Sequence, residues 1–481
     1  MGVLAVPARR NHELRFSLRQ PAVLGAVLYA VAVGLAVWCH EPWADEAQSW
    51  LLARDAGLVE LWTRLLHYEG TPGLWQTLLH FWTGLGLPYG TLNVLSALCG
   101  LVACLLVLRN APFPTPIRLA LPFTFFLCYQ YAVVARSYSL VPPLLFGAAI
   151  LCREGVRRVA ALTALLSLLA GVSVHGMALS CSIWLAFHCS MARHWKTLAP
   201  AERRRVLVAG ACYAAAVAVF VLAAWPASDN IFVRRPYWSL EHALAVAGKA
   251  LRGGFAGAWI PSLAAILLSL PLLWRGGTLL LFAITLFSLA LVNGVIYAQV
   301  WHYGLVFLGW LVAVWIAAQR VKPGWAGLAS LVVVICSQLY WTAGSIAYDW
   351  EYSYSASREA AEYLHQAGIA RQRLFAIGYA CTAIQPYFPT NIFANVNGGA
   401  KKPAYWDWSS RNHVNEDTGK LSALRPDYVI VGYKGSYEKN LWTSQVVQSG
   451  YRRVRHFEGN IYWQDAILEP ESYDLYRRPA P

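Results

Sequence analysis

The stretch PAVLGAVLYAVAVGLAVWCHEPWADEAQSW, residues 21–50, places a long apolar run directly before two adjacent carboxylates, Asp45 and Glu46. The run at 21–39 is long enough to cross a bilayer as a helix. Ionisable side chains at membrane depth are uncommon and mark functional sites. A structural alternative is that Asp45 caps the helix begun by EAQSWLLARD, with Glu46 favoured by the helix dipole.

The composition indicates that membrane-spanning segments recur along the whole chain. Of 481 residues, 57% are hydrophobic and only 13% are charged, and the mean hydropathy is +0.42. These values exceed what a soluble core requires and predict an α-helical polytopic membrane protein. The net charge of +14 comes from short Lys and Arg clusters between apolar runs, which indicates membrane orientation rather than a nucleic-acid partner. The ten cysteines include no CxxC pair, so neither a zinc site nor a disulfide framework is indicated.

The apolar runs predict about eleven transmembrane helices. If the Arg-rich tail at 1–20 is cytoplasmic, alternate loops are basic, as the positive-inside tendency requires. The transmembrane domain then covers 21–343, its larger outer loops are 40–90 and 226–257, and residues 350–481 form an extracytoplasmic α/β domain. The predicted runs are 21–39, 91–108, 117–134, 138–152, 159–174, 176–192, 206–225, 258–274, 278–298, 303–319 and 324–343.

Local patterns predict the elements outside the membrane. Amphipathic helices are expected at about 46–55 and 58–66, lying on the membrane surface. Thr71 and Pro72 are typical of the N-cap and first residue of a third short helix that ends at Gly84. In the C-terminal part, SREAAEYLH (357–365) predicts a helix, and RLFAIG (373–378) and DYVIVG (427–432) predict strands.

The unusual polar residues gather on the predicted outer side. Asp45 and Glu46 open the first outer loop, and His67 and Glu69 stand in HYEGTP (67–72). The carboxylates can act as a general base towards a hydroxyl group or hold a divalent cation through oxygen ligands. For His67 and Glu69, an ordinary solvated loop is the alternative.

Cations and imidazoles accompany these carboxylates. Arg136, near Tyr138, stands where the positive-inside tendency disfavours arginine, so it is expected to pair with Asp45 or Glu46 or to hold a lipid phosphate. Arg234 and Arg235 have two interpretations, a donor-phosphate site or non-specific contact with anionic headgroups. Two histidines at predicted outer helix ends are candidates for either structural or site roles: His175 and His302.

Three segments together resemble the GT-C membrane glycosyltransferases, especially the protein O-mannosyltransferases and bacterial lipid A aminoarabinose transferases. They are the AspGlu pair after the first transmembrane helix, HYEGTP at 67–72, and ARSYSL at 135–140. The resemblance covers roughly residues 20–200, with looser agreement from HisTyrGly at 302–304 to the last helix. The chain departs from the family pattern at 69–72, where EGTP replaces paired prolines.

The resemblance implies transfer of a sugar from a polyprenyl-phosphate carrier to an acceptor on the extracytoplasmic face of a bacterial inner membrane. Asp45 would be the general base, Glu46 would assist acceptor or metal binding, and Arg136 would stabilise the carrier phosphate. The acceptor would be a glycan, a lipid or a protein. A transporter or flippase of lipid-linked saccharides and a non-catalytic assembly factor are the alternative functions, although no inverted repeat supports transport.

Overall fold

The computed structural model describes residues 20–232, 239–410, 418 and 421–479, which are mostly helical. The first nine α-helices are α1 Gln20–Cys39, α2 Ala44–Asp55, α3 Leu58–Glu60, α4 Leu66–Glu69, α5 Leu74–Gly84, α6 Leu92–Asn110, α7 Thr115–Ala120, α8 Val141–Cys152 and α9 Val159–Ala170. The others are α10 Val174–Arg193, α11 Pro200–Ala224, α12 Leu240–Phe255, α13 Trp259–Arg275, α14 Leu279–Val295, α15 Tyr303–Ala318, α16 Trp325–Glu351, α17 Ser357–Gln366, α18 Leu421–Leu424 and α19 Ser436–Gln448.

Several of these helices have membrane-spanning length. Within the described residues, five are long and apolar enough to cross a bilayer: Gln20–Cys39, Tyr89–Asn110, Pro200–Ala224, Val300–Ala318 and Trp325–Glu351. α12 and α13 pass the same test together as a pair bent by 81°, which makes up to six. The membrane-type helical character is therefore present, while the predicted count of eleven is not confirmed.

One predicted span, 117–134, is wrong as a continuous helix. α7 ends at Ala120, Pro122 supplies no backbone donor, and a single π-helical turn follows at Phe126–Gln130. Non-helical backbone is tolerated at membrane depth only when it is buried and hydrogen-bonded, and residues 124–135 are all buried. Side chains from three other helices bond its carbonyl groups: Tyr29 to Leu127 (2.7 Å), Asn93 to Val133 (2.8 Å) and Thr342 to Phe123 (2.8 Å).

The first loop forms the predicted short helices. α2 is followed by a second helical stretch, which runs without a break from 58 to 69. It consists of α3, a π turn at Leu61–Leu65 and α4. The predicted start of the third helix is wrong, because α5 begins at Leu74, after Gly73 in a left-handed conformation, and not at Pro72. α5 ends at Gly84 as predicted and packs its Trp75 and Leu79 against α2.

The C-terminal part contains a small mixed sheet. The strands are β1 Leu374–Ile377, β2 Tyr428–Tyr433, β3 Arg452–Phe457, β4 Asn460–Trp463, β5 Ala466–Pro470 and β6 Ser472–Arg477. Their order is β1-β2-β6-β3, with β1 and β2 parallel and the other pairs antiparallel, and β4 and β5 form a separate hairpin. Every residue of β1 and β2 is buried, which is typical of parallel strands covered on both faces.

This C-terminal part is docked on the first loop. The backbone N–H of Ala44 donates to Glu471 (2.9 Å), and Arg64 pairs with Asp407 (3.0 Å). The β4–β5 hairpin places Trp463 against Phe125 in the broken segment, with ring centroids 5.1 Å apart. The loop at 40–70 is thus held between the helices and the sheet, and side chains from both reach it.

Candidate functional site

Asp45 lies in the first turn of α2, where the helix meets two cations. Its Oδ2 atom is 2.5 Å from Nη1 of Arg136, and its Oδ1 atom is 3.8 Å from Nζ of Lys434. The three side chains keep between 20% and 23% of their surface exposed. We call this partly exposed space around Asp45, Arg136 and Lys434 the Asp45 recess. Trp43, not Asp45, is the N-cap residue, so capping does not account for Asp45.

Aromatic rings hold the two cations in place. The guanidinium carbon of Arg136 lies 5.4 Å from the ring centroid of Trp43, 5.2 Å from that of Trp301 and 5.9 Å from that of Tyr138. Nζ of Lys434 lies 4.2 Å from the same Trp43 ring. A cation between ring faces is stabilised by their quadrupoles and stays in a defined position. Arg136 pairs with a carboxylate, as predicted, and that carboxylate belongs to Asp45.

Sequence reasoning missed Lys434 and Tyr379. Each follows the carboxyl end of one of the parallel strands, Tyr379 after β1 and Lys434 after β2. Gly378 makes the first turn possible, because its φ is 92° and a Cβ atom there would lie 1.9 Å from the Gly432 carbonyl oxygen. Ligands of α/β sheets bind at the carboxyl ends of strands, so polar residues after the two predicted strands were the available signal.

The charges in the recess sum to a positive value. Burial raises the pKa of Asp45, but the charges of Arg136 and Lys434 outweigh this effect, and the net pKa lies below its usual range. Burial raises the pKa of Glu69 to about 8 and that of Glu471, which lies 3.8 Å from Lys434, also to about 8. At neutral pH, Asp45 is thus ionised, whereas Glu69 and Glu471 are mostly protonated. Two cations and one carboxylate leave the recess suited to an anion.

Glu46 has a different environment from its neighbour. Its side chain is fully buried, and its oxygens accept hydrogen bonds from Asn93 (2.8 Å) and from the backbone N–H groups of Ala135 (2.6 Å) and Trp43 (3.2 Å). His40 bridges Glu46 (3.2 Å) and Asp349 of α16 (2.9 Å). This geometry supports a role in holding α1, α2, α16 and the broken segment together; the predicted acceptor- or metal-binding role of Glu46 stays a prediction.

Tyr138, His302 and His175 form a buried row beside Arg136. The Gln299 N–H donates to Nδ1 of His302 (2.9 Å), so Nε2 carries the proton that faces the Tyr138 hydroxyl at 2.6 Å. The His175 ring stacks on His302 with centroids 4.0 Å apart, and its Nε2 is 2.9 Å from Oδ1 of Asn293. The structure therefore brings these predicted site residues together behind the recess rather than on its exposed surface.

The other predicted residues lie at the edge or outside the described chain. Glu69 accepts a hydrogen bond from Gln48 (2.8 Å) and is within electrostatic range of Asp45. His67 is half-buried and its Nδ1 is 2.7 Å from the Trp225 carbonyl oxygen, which ties α4 to the end of α11. Arg234 and Arg235 lie outside the described residues.

A divalent cation was the open alternative for this site. Among residues 20–232, 239–410, 418 and 421–479, no group of three or more His, Cys, Asp or Glu side chains has an arrangement that could hold a metal ion. The donors nearest to Asp45 are instead cationic and aromatic.

No model of a known protein family matches this chain, and no curated protein is significantly similar to it.

Proposed function

We propose that this protein is a membrane glycosyltransferase that moves a sugar from a polyprenyl-phosphate donor to an extracytoplasmic acceptor, in a bacterial inner membrane. The observation that carries the proposal is the Asp45 recess, in which one ionised carboxylate stands between Arg136 and Lys434. A transferase of this kind needs a base for the acceptor hydroxyl and cations for the departing phosphate, and both lie within one partly exposed space.

The two cations would bind the donor phosphate. A guanidinium group matches phosphate geometry with two parallel hydrogen bonds, and an ammonium group adds a point charge. Because Arg136 pairs with Asp45 in this structure, an arriving phosphate would compete for the guanidinium group and release an oxygen of Asp45. Donor binding would thereby raise the pKa of the base just before it is needed.

In the transfer step, Asp45 takes the proton, and Arg136 and Lys434 stabilise the leaving group. The acceptor oxygen forms a bond to the anomeric carbon as the bond from that carbon to the phosphate oxygen breaks. The acceptor proton passes to Asp45, and the phosphate leaves with the bonding electrons, stabilised by Arg136 and Lys434. The apolar helices beside the recess provide the surroundings that a polyprenyl chain requires.

The test is the release of polyprenyl phosphate by full-length protein in nanodiscs, with a panel of labelled polyprenyl-phosphate sugars. We expect Asp45→Asn to lower the release rate about 10²- to 10⁴-fold, the usual contribution of a positioned general base. Asp465→Asn is the matched control, because Asp465 is exposed on the β4–β5 hairpin.

Two results would contradict the proposal. Equal rates for wild type and Asp45→Asn would exclude the general base. No release from any donor, with movement of intact lipid-linked sugar across the bilayer, would identify a transporter instead.

A further inference from the structure

A row of aromatic side chains extends from Asp45 towards the surface. Tyr379, whose hydroxyl interacts with the Asp45 carboxylate, has its ring centroid 5.0 Å from that of Trp408. Trp408 in turn stacks on Phe232, with centroids 4.5 Å apart and an interplanar angle of 26°. Phe232 is 53% exposed. We call Tyr379, Trp408 and Phe232 the aromatic row.

Planar polar groups lie beside this row. Gln48 donates from its amide to Glu69 and to the Trp406 carbonyl (2.8 Å each), and its own oxygen accepts from the Trp406 N–H (2.9 Å). Asp407 is fixed by Arg64 at 3.0 Å. Aromatic faces next to fixed amide and carboxyl groups are what a sugar ring requires, since it presents C–H groups on one face and hydroxyl groups at its rim.

The chain segments that carry the row are tied together. The Ile231 N–H donates to the Trp408 carbonyl (3.0 Å) and the Ser410 N–H to the Asp229 carbonyl (2.9 Å). Asn230 donates from its side chain to the carbonyls of His67 (2.9 Å) and Tyr68 (3.0 Å). The row is therefore preorganised at the meeting point of the first loop, the loop after α11 and the segment before α18.

Building on the proposed function, we infer that the aromatic row is the acceptor subsite and that the acceptor is a saccharide. Its ring stacks on Trp408 and Tyr379, Glu69, which Gln48 holds in place, bonds a rim hydroxyl, and another hydroxyl points to Asp45. A lipid acceptor would not use this arrangement, because it would approach from the apolar helices rather than across rings that open to solvent. A protein acceptor has no need of the stacked faces.

Saturation-transfer NMR on full-length protein in nanodiscs tests the inference. The probes are methyl glycosides of glucose, galactose, mannose and N-acetylglucosamine with their disaccharides, and a serine-containing peptide is the non-sugar comparison. We expect one or more saccharides to bind and the peptide not to bind. Trp408→Ala should weaken saccharide binding about three- to tenfold, the range of one aromatic stacking contact. Phe232→Ala removes the ring that stacks on Trp408 and holds it in place, so it should weaken saccharide binding in the same direction. Phe232→Ala removes an exposed ring, so it retains the fold even if Trp408→Ala does not.

Trp325→Ala is the matched control, because Trp325 is 78% exposed at the start of α16, at the other end of that helix from the recess. Absence of saccharide binding by wild type, or equal binding by Phe232→Ala and Trp325→Ala, would overturn the inference. Hydrolytic release of polyprenyl phosphate, in which water takes the place of the acceptor, is measured on the same samples and depends on Asp45 but not on Trp408 or Phe232. If wild-type protein shows no such release, the proposed function is refuted independently of the result on saccharide binding.

Discussion

Asp45 and Glu46 are neighbours in sequence with opposite surroundings. Asp45 keeps 23% of its side-chain surface exposed and faces two cations, whereas Glu46 is fully buried among hydrogen-bond donors from three other parts of the chain. Successive side chains on a helix point about 100° apart, so one turn directs the first carboxylate into the recess and the second into the core. The carboxylate of Asp45 thus belongs to the candidate site, whereas that of Glu46 stabilises the fold.

The contrast also explains how the recess is kept in position. Glu46 bonds the Ala135 N–H, the residue before Arg136, and His40 connects Glu46 to α16. Burial alone would lower the pKa of His40, but Glu46 and Asp349 raise it to about 10, so the bridge is charged at neutral pH. The buried network therefore fixes both partners of the Asp45–Arg136 pair.

The largest expected effect is on stability, and it separates the two carboxylates. Glu46→Ala removes one of the two carboxylate partners of His40 and takes the acceptor from three buried donors, so we expect the free energy of unfolding to fall by about 3–5 kcal/mol. Asp45→Ala, at the partly exposed pair, should change it by no more than about 1 kcal/mol. Denaturant titration in matched detergent micelles measures both. Equal losses would show that the two environments do not differ in the way proposed.

Much of this arrangement could be predicted from the sequence. Apolar length identified α1, and the position of Asp45 after it, with Arg136 on the same predicted side, indicated a paired site. Short apolar runs identified β1 and β2. These signals are local, and each reflects a requirement that a single segment must meet by itself.

The remaining features depend on contacts between distant segments. Whether Asp45 or Glu46 faces Arg136 is decided by the rotation of α2, and the bonds of Glu46 to Asn93 and Ala135 and of the Ala44 N–H to Glu471 all join α2 to distant segments. Lys434 reaches Asp45 only because β1 and β2 pair in parallel and their carboxyl ends face the first loop. The break at 117–134 is stabilised by side chains of α1, α6 and α16, which no apolar pattern reveals.

A second prediction concerns the cation that the sheet contributes. Lys434→Gln removes a charge from the recess, so we expect the KM for the polyprenyl-phosphate donor to rise about tenfold, which corresponds to one charge-assisted contact. Lys439→Gln is the control, because Lys439 lies in α19 against the Tyr433 ring. If the two variants have the same KM, the donor phosphate does not bind Lys434, and the cationic role falls to Arg136 alone.

The smallest expected effect is a pH dependence, because it involves partial changes of charge on two glutamates beside the recess. Glu69 and Glu471, whose pKa values are about 8, are neutral below that pH and become negative above it. Asp45, whose pKa lies below its usual range, stays ionised throughout, and Arg136 stays charged. The donor phosphodiester also keeps one negative charge. Rising pH therefore adds repulsion from Glu69 and Glu471. Glu469, whose pKa burial also raises and which interacts with Lys434 and Asp45, acts in the same direction.

We expect the donor KM to increase about three- to fivefold between pH 7 and pH 9, equivalent to roughly 1 kcal/mol of added repulsion. Glu69→Gln should reduce the increase, and the double variant Glu69→Gln/Glu471→Gln should reduce it further. Initial rates at several donor concentrations measure it. A wild-type KM that falls with pH, or a double variant that keeps the full increase, would mean that Glu69 and Glu471 do not face the bound phosphate.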